Sequence, residues 1–317
     1  MAIAWLFPGQ GSQRVGMGGD VLAASPAARA VFEGADAALG EPLSRLILDG
    51  PEDRLTLTAN AQPALVATSC ALLAAMRERL PDLPPPAFAA GHSLGEYSAL
   101  VAADALSLND AVRLVRARGR AMQDAVPPGT GAMSAVMGVD AARLEALCAE
   151  VARSECLSPA NFNAPGQIVV AGHAGAVARL AERLAAEKGR AIPLKVSAPF
   201  HCSLMGPAAR ALEAELARIA IRALRFPVVA NYDARPNSDP ARVKELLVRQ
   251  VDGAVRWEES VRLMTSRGVT HALEIGPGKV LAGLVKRIAG DVKVLSVGDA
   301  ASLEQVPAFL ADARGAS

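Results

Sequence analysis

Short apolar runs alternate along the chain with longer stretches whose apolar positions recur every three to four residues. That alternation predicts a mainly parallel sheet joined by helices, the α/β class. Strands are expected at Ala2–Phe7, Ala87–His92, Phe226–Tyr232, Thr270–Ile275 and Val292–Val297. Pro8-Gly9 ends the first of them, and the second runs into a Gly-flanked turn with a helical pattern beyond it. Gly276-Pro277-Gly278 supplies a turn ahead of the helical pattern Val280–Ile288. Residues 107–126 also read as a helix, with Ala111, Val115 and Met122 on one stripe.

The middle of the chain breaks this rhythm. A strand at Ala132–Gly138 is followed by a helix Ala141–Val151 opened by Asp140, then strands near Leu157–Asn163 and Gln167–Ala171 around Pro165-Gly166. A helix Ala174–Lys188 and a strand Ala191–Val196 complete the order β-α-β-β-α-β, the ferredoxin-like unit. Pro127-Pro128-Gly129 and Pro199 bracket it. The expected organisation is therefore a small domain, 129–197, inserted into a larger one built from 1–128 and 198–317, with a ligand cleft between them.

Composition narrows the function classes. The chain has 317 residues, 51% of them hydrophobic, enough for a sizeable core. Its 33 basic and 32 acidic residues leave a net charge of +1, and only 3% are aromatic. Neither a basic footprint nor a base-stacking surface is present, so no nucleic-acid partner is expected. Residues 55–76 carry no charge, but Thr56, Thr58, Asn60, Gln62 and Pro63 leave only about 14 mostly apolar residues against the ~20 of a membrane span. A buried helix is expected there. Met1–Gln10 lacks the basic start of a signal peptide. Cys70, Cys148, Cys156 and Cys202 form no C-x-x-C pair, which fits a reducing cytoplasm and predicts no structural zinc.

Gly91-His92-Ser93-Leu94-Gly95 is a G-x-S-x-G run between a predicted strand and a predicted helix, the context of a nucleophile elbow. Such a turn exposes the serine hydroxyl and aims the Leu94 amide at a developing oxyanion. The alternative is a tight strand–helix turn with a capping serine. A serine needs a base, and the chain has four histidines. Strand alternation turns His92 away from Ser93; His173 is expected to cap a helix and His271 to be structural. His201, in the loop Ala198-Pro199-Phe200-His201, is the best base, with no acidic partner in view. Arg118 falls on the apolar stripe with Ala111, Val115 and Met122, whereas Arg113, Arg116 and Arg120 line another face. A buried guanidinium needs an anion, so Arg118 is an internal ion-pair partner, a rim residue that snorkels to solvent, or the receptor for a substrate carboxylate. The loop Phe7-Pro8-Gly9-Gln10-Gly11-Ser12-Gln13 lets backbone amides approach a ligand, and Gln10 offers a second oxyanion donor. No phosphate loop, dinucleotide fingerprint or metal-ligand cluster is seen.

Taken together, Gly9-Gln10-Gly11-Ser12-Gln13, Gly91–Ser98, Arg118-Gly119, Asn161-Phe162-Asn163, Pro199-Phe200-His201 and Glu274–Gly278 resemble the malonyl-CoA:acyl carrier protein transacylases. The order and spacing of these motifs match from Phe7 to about Ile288. The likeness is greatest to the stand-alone bacterial type, and acyltransferase domains of polyketide synthases are similar. The resemblance implies an α/β-hydrolase-like large domain with the ferredoxin-like insert. It implies Ser93 as the nucleophile that carries a malonyl ester, His201 as base and then acid, and the Gln10 and Leu94 amides as oxyanion hole. It also implies Arg118 as receptor for the malonyl carboxylate, and Gln250 as the residue whose main-chain carbonyl orients the histidine. Phe200, Met122 and Asn161 join the substrate-binding set, and Leu94 and Phe200 match malonyl-selective versions. Asp104 departs from the glycine common in the family. The implied partners are malonyl-CoA and a holo acyl carrier protein, with no membrane, no cofactor, a monomeric state and a cytoplasmic location. Lys286 and Arg287 are candidates for carrier docking. A serine hydrolase or thioesterase of the same fold remains the rival reading, and a non-catalytic docking subunit a second.

Overall fold

The structure is a computed structural model that describes residues 2–187 and 189–315. The first apolar run forms β1 (Ile3–Phe7), buried along its whole length. Five helices follow: α1 (Gly19–Ala24), α2 (Pro26–Leu39), α3 (Leu43–Asp49), α4 (Glu52–Thr56) and α5 (Thr58–Arg79). Next come β2 (Phe88–Gly91), α6 (Gly95–Ala102) and α7 (Leu108–Asp124). The middle segment contains β3 (Gly131–Met137), α8 (Ala141–Ala152), β4 (Leu157–Ala164), β5 (Gln167–His173), α9 (Ala174–Ala186) and β6 (Arg190–Pro193). After a 3-10 turn at Ser203–Met205 the chain forms α10 (Gly206–Ala217), β7 (Val228–Val229), β8 (Pro236–Asn237), α11 (Pro240–Asp252) and α12 (Trp257–Ser266). It ends with β9 (His271–Ile275), α13 (Val280–Ile288), β10 (Lys293–Val297), α14 (Ala300–Leu303) and α15 (Val306–Gly315).

Two sheets result. The larger has the order β10-β9-β1-β2-β7-β8 and is parallel except for the β7–β8 hairpin. The smaller, β4-β5-β3-β6, is antiparallel. β1 lies inside the large sheet with β2 and β9 beside it, so the loops that leave all three strands gather at one sheet edge. That edge, outside the carboxyl ends of parallel strands, is where α/β proteins place their ligands.

The uncharged stretch is a buried helix, as its composition predicts. α5 is the one helix among the described residues long and apolar enough to cross a bilayer, and 83% of its apolar window is buried. Its middle, Ala61–Leu73, has no charged side because neighbours bury every position there. α7 packs against it closely: a Cβ on Gly119 would lie 2.7 Å from the Thr58 carbonyl oxygen. Only a glycine at that position lets the helices approach far enough to bring Arg118 beside Gln62.

Several expectations are corrected. The strand expected at Phe226–Tyr232 shrinks to Val228–Val229, because Pro227 has no N–H to give and Asn231 is drawn off to the serine turn. The strand expected at Ala191–Val196 stops at Pro193, and Leu194 and Val196 are exposed at the cleft instead. The helix expected to reach Lys188 ends at Ala186. Lys188, like Met1, Ala316 and Ser317 at the outer limits of the expected large domain, lies outside the described residues. Asp104 adopts φ 61 just after α6 and pairs with Arg225 at 3.4 Å. A left-handed φ there explains why glycine suits the position, and Asp is among the residues that tolerate it.

Candidate active site

The serine turn is built by close backbone approach. A Cβ on Gly91 would fall 1.9 Å from the Gly95 carbonyl carbon, and one on Gly95 would fall 2.2 Å from the Phe7 carbonyl oxygen. Only hydrogen at both positions lets α6 start directly over β1 and β2. Between them Ser93 sits at φ 51, a conformation that costs a non-glycine residue about 1–3 kcal/mol. Four bonds hold it there. The Ser93 N–H donates to Asn231 Oδ1 at 2.6 Å, and Gln250 Nε2 donates to the Ser93 carbonyl at 3.0 Å. Asn231 Nδ2 donates to the Gly91 carbonyl at 2.7 Å, and the Glu96 N–H to the Ser93 carbonyl at 3.1 Å. Among the described residues none accepts from the Leu94 amide, while the flanking amides of Ser93 and Gly95 are both taken.

Ser93 Oγ lies 2.8 Å from His201 Nε2. His201 is buried and itself strained, at φ 60. Its Nδ1 is 2.8 Å from the Gln250 main-chain carbonyl. A carbonyl only accepts, so Nδ1 carries the proton and Nε2 offers its lone pair to the serine hydroxyl. The orienting group is thus neutral, not a carboxylate. Burial, with Arg118 adding to it, pulls the imidazole down to about 3, although the Gln250 bond works the other way. At neutral pH His201 is therefore uncharged, the state that serine activation would need.

Arg118 is 1% exposed, and its Nη2 donates to the same Ser93 Oγ at 2.9 Å. It also donates to Gln250 Oε1 at 2.9 Å and, through Nη1, to Gln62 Oε1 at 2.7 Å. Its guanidinium carbon stands 5.8 Å from the centre of the Tyr97 ring. All these partners are neutral, and Nε has none. The nearby acid is Glu96, which accepts from Gln250 Nε2 at 2.7 Å and from the Asn231 N–H at 2.9 Å. Burial pushes the Glu96 carboxyl up to about 7, against those bonds and the Arg118 charge. The guanidinium therefore lacks a fully ionised, directly bonded partner, and it borders a cleft of about 470 Å³. Such an arrangement favours an incoming carboxylate.

Both sheets line that cleft. Gln10, Arg118, Met122, Phe200 and His201 come from the large part and Asn161 from β4. Gln10 Nε2 donates to Thr58 Oγ1 at 3.1 Å, and its amide lies on the loop leaving β1. The Leu94 side chain is buried in the core and is not among the lining groups. The family described as acyl transferase domain matches residues 4–313. The chain belongs to the acyl transferase family. A malonyl CoA-acyl carrier protein transacylase of Salmonella typhimurium is 47% identical over 95% of this chain and 97% of its own length. The crystal structure of an acyl-carrier-protein S-malonyltransferase from Bartonella henselae is 47% identical, with a TM-score of 0.95, covering 98% of this chain and all of that one. A malonyl-transacylase solved in complex with a type II PKS acyl-carrier protein is 44% identical, with a TM-score of 0.93 over 96% of this chain and 98% of that one.

The structure of this acyltransferase corrects two expectations here. The strand expected to reach His92 ends at Gly91; His92 borders the cleft with its ring held by Asn163 and Trp257, Nε2 2.8 Å from Asn163 Oδ1 and the rings 5.7 Å apart, and among the described residues it has no bond to Ser93. His173 stands at the N-cap of α9 but makes no cap bond; its Nδ1 accepts from the Cys156 N–H at 2.9 Å. Arg116, on the other face of the helix, is buried as well, bonding Asn60 and pairing with Glu41. His271 has the structural role expected, with Thr270 Oγ1 at 2.9 Å and Asp312 Oδ2 at 3.2 Å. Sequence reasoning missed Asn231, Glu96 and Gln62. Gln62 alone left a signal, as an amide within an uncharged buried helix.

A direct test of the base follows. The His201 ring, followed by its own NMR resonance, is expected to stay neutral well below the ordinary 6.5. Because the folded value lies below the unfolded one, the unfolded chain takes up this proton first. This group's contribution to stability is therefore complete above pH 6.5 and is lost as pH falls toward about 3. A ring titrating near 6.5 in the folded enzyme would overturn the assignment.

Proposed function

We propose that the enzyme transfers the malonyl group of malonyl-CoA to the phosphopantetheine thiol of an acyl carrier protein, through a malonyl ester on Ser93. One observation carries this reading: the Ser93 hydroxyl oxygen contacts both His201 Nε2 at 2.8 Å and Arg118 Nη2 at 2.9 Å. A nucleophile, its base and a carboxylate receptor thus converge on a single atom. In the first half-reaction Ser93 Oγ attacks the thioester carbon and its proton passes to His201 Nε2. The Gln10 and Leu94 amides receive the oxyanion. The C–S bond then breaks and CoA leaves with the proton from His201. In the second, the carrier thiol gives its proton to His201 and attacks the ester, and Ser93 recovers its hydrogen as it departs. Arg118 holds the malonyl carboxylate throughout. Gln250 orients His201 through its carbonyl, and Met122, Asn161 and Phe200 shape the acyl pocket.

Residues 1–128 with 198–317 are read as an α/β-hydrolase-like domain and 129–197 as a ferredoxin-like insert; the strand order β4-β5-β3-β6 supports the second part. The carrier belongs to fatty-acid or polyketide synthesis, and the enzyme acts in the cytoplasm as a monomer without a cofactor. The buried Arg118 disfavours a general esterase, whose acyl pocket is apolar. Intact-protein mass spectrometry after brief mixing with malonyl-CoA is expected to show one malonyl adduct, discharged onto added holo carrier protein. Free malonate with no label on the carrier would instead identify a hydrolase.

A further inference from the structure

Gln250 lies in the last turn of α11, on the face that buries Val243, Leu246, Leu247 and Val251. That place has two consequences. A carbonyl in the last turn of a helix has no partner within the helix, which leaves the Gln250 C=O free for His201 Nδ1 at 2.8 Å. A side-chain amide on a buried face must also be met by hydrogen-bonding groups, and this one meets them all in the site. Its Oε1 accepts from Arg118 Nη2 at 2.9 Å, and its Nε2 donates to the Ser93 carbonyl at 3.0 Å and to Glu96 Oε2 at 2.7 Å. One residue thus touches His201, Arg118 and the Ser93 main chain.

The amide has a single direction open to it. Two oxygens face its nitrogen and a guanidinium faces its oxygen, so a flipped amide would set oxygen against oxygen and N–H against N–H. Glu96 is itself held, because its Oε2 also accepts the Asn231 N–H at 2.9 Å. The guanidinium is placed in turn. Nη2 has two hydrogens, one for Ser93 Oγ at 2.9 Å and one for Gln250 Oε1, and Nη1 gives one to Gln62 Oε1 at 2.7 Å. Apart from the serine hydroxyl, both anchors are amide oxygens. An amide oxygen fixes the plane of a guanidinium without cancelling its charge, whereas a carboxylate in the same place would do both.

We propose that the Gln250 side chain, with its direction set by Glu96, is a positioning group for substrate specificity: it fixes Arg118 through a neutral oxygen and so leaves the charge open to a substrate carboxylate. The identity of that carboxylate as malonyl rests on the acyl-transfer reading above. The role is separate from the hold on His201, because any residue at position 250 keeps the main-chain carbonyl.

The experiment compares loading from malonyl-CoA and from acetyl-CoA in the full-length protein. Gln250→Met keeps the length of the side chain and removes its amide. Its malonyl-to-acetyl ratio is expected to fall about tenfold or more, chiefly through malonyl, the scale for a group displaced by a fraction of an ångström. The His201 ring resonance stays that of a neutral imidazole. Glu96→Leu moves the ratio the same way, and Glu96→Gln, whose amide oxygen accepts both bonds, restores most of it. Gln250→Glu, sharing one proton with Glu96, keeps an oxygen on Arg118 but adds a charge, so its ratio falls as well. An unchanged ratio in Gln250→Met or Gln250→Glu, equal slowing of both thioesters, or Glu96→Gln as impaired as Glu96→Leu overturns the proposal. Calorimetry with malonate and acetate reads the receptor without chemistry. A wild type that prefers malonate, loses that preference in Gln250→Met and yet never gains the malonyl mass would refute the acyl-transfer reading and support the positioning role.

Discussion

Ser93→Ala is expected to lower acyl transfer by about 10⁴-fold or more, the usual consequence of removing a serine nucleophile from a serine–histidine unit. The loss is chemical rather than structural. Alanine at φ 51 bears the same backbone strain as serine, and the bonds from Asn231, Gln250 and the Glu96 amide act on the main chain at this position. The elbow therefore persists, and thermal unfolding is expected to shift little. Other hydroxyls at the cleft do not replace the lost one: Thr58 Oγ1 and Ser197 Oγ lie 3.1 Å from each other, and neither has His201 as a partner. Stopped-flow release of CoA and intact mass measure the result. A variant that still gains the malonyl mass at a rate within tenfold of wild type would show that another residue carries the acyl group.

Arg118→Ala is expected to collapse the preference for malonyl over acetyl, by a transition-state cost of about 2–4 kcal/mol confined to the malonyl substrate. The free enzyme keeps this charge in a dry site with only neutral groups bonded to it, namely Ser93, Gln250 and Gln62. In the proposed reaction a malonyl carboxylate supplies the missing anion. An acetyl group leaves the guanidinium as poorly matched as before. Truncation removes the receptor, so malonyl loses its advantage while acetyl, which never used it, loses little. Burial pulls the guanidinium down from its ordinary value, yet arginine keeps its proton at any working pH, so discrimination should not vary with pH through this group. Loading rates for the two thioesters, wild type against variant, decide the point. If the malonyl-to-acetyl ratio survived, the carboxylate-receptor role would have to pass to another residue.

Much of this was legible before any coordinates. The stripe Ala111, Val115, Arg118 and Met122 marked Arg118 as buried because helical periodicity is local, and all four are buried. Pro8-Gly9 and the glycines around Ser93 marked turns for the same reason. Interactions that join distant segments left no such trace. Gln250 holds the base through its main-chain carbonyl, a group every residue possesses, so only the resemblance to relatives pointed to it. Asn231 reaches Ser93 from a loop beyond β7, and Glu96 closes the network from the opposite side. Local patterning failed at His173, which stands at the N-cap of α9 but bonds the Cys156 amide instead of capping the helix.

By itself the sequence determined the class of the fold, the serine elbow and the burial of Arg118, since each depends on residues within a few turns of one another. Only the tertiary structure decided that Ser93, His201 and Arg118 meet at one oxygen atom, and that His201 leans on a carbonyl instead of an acid. Those facts depend on how the two sheets pack, and distances between remote segments are set by the sum of all core contacts rather than by any one stretch of chain.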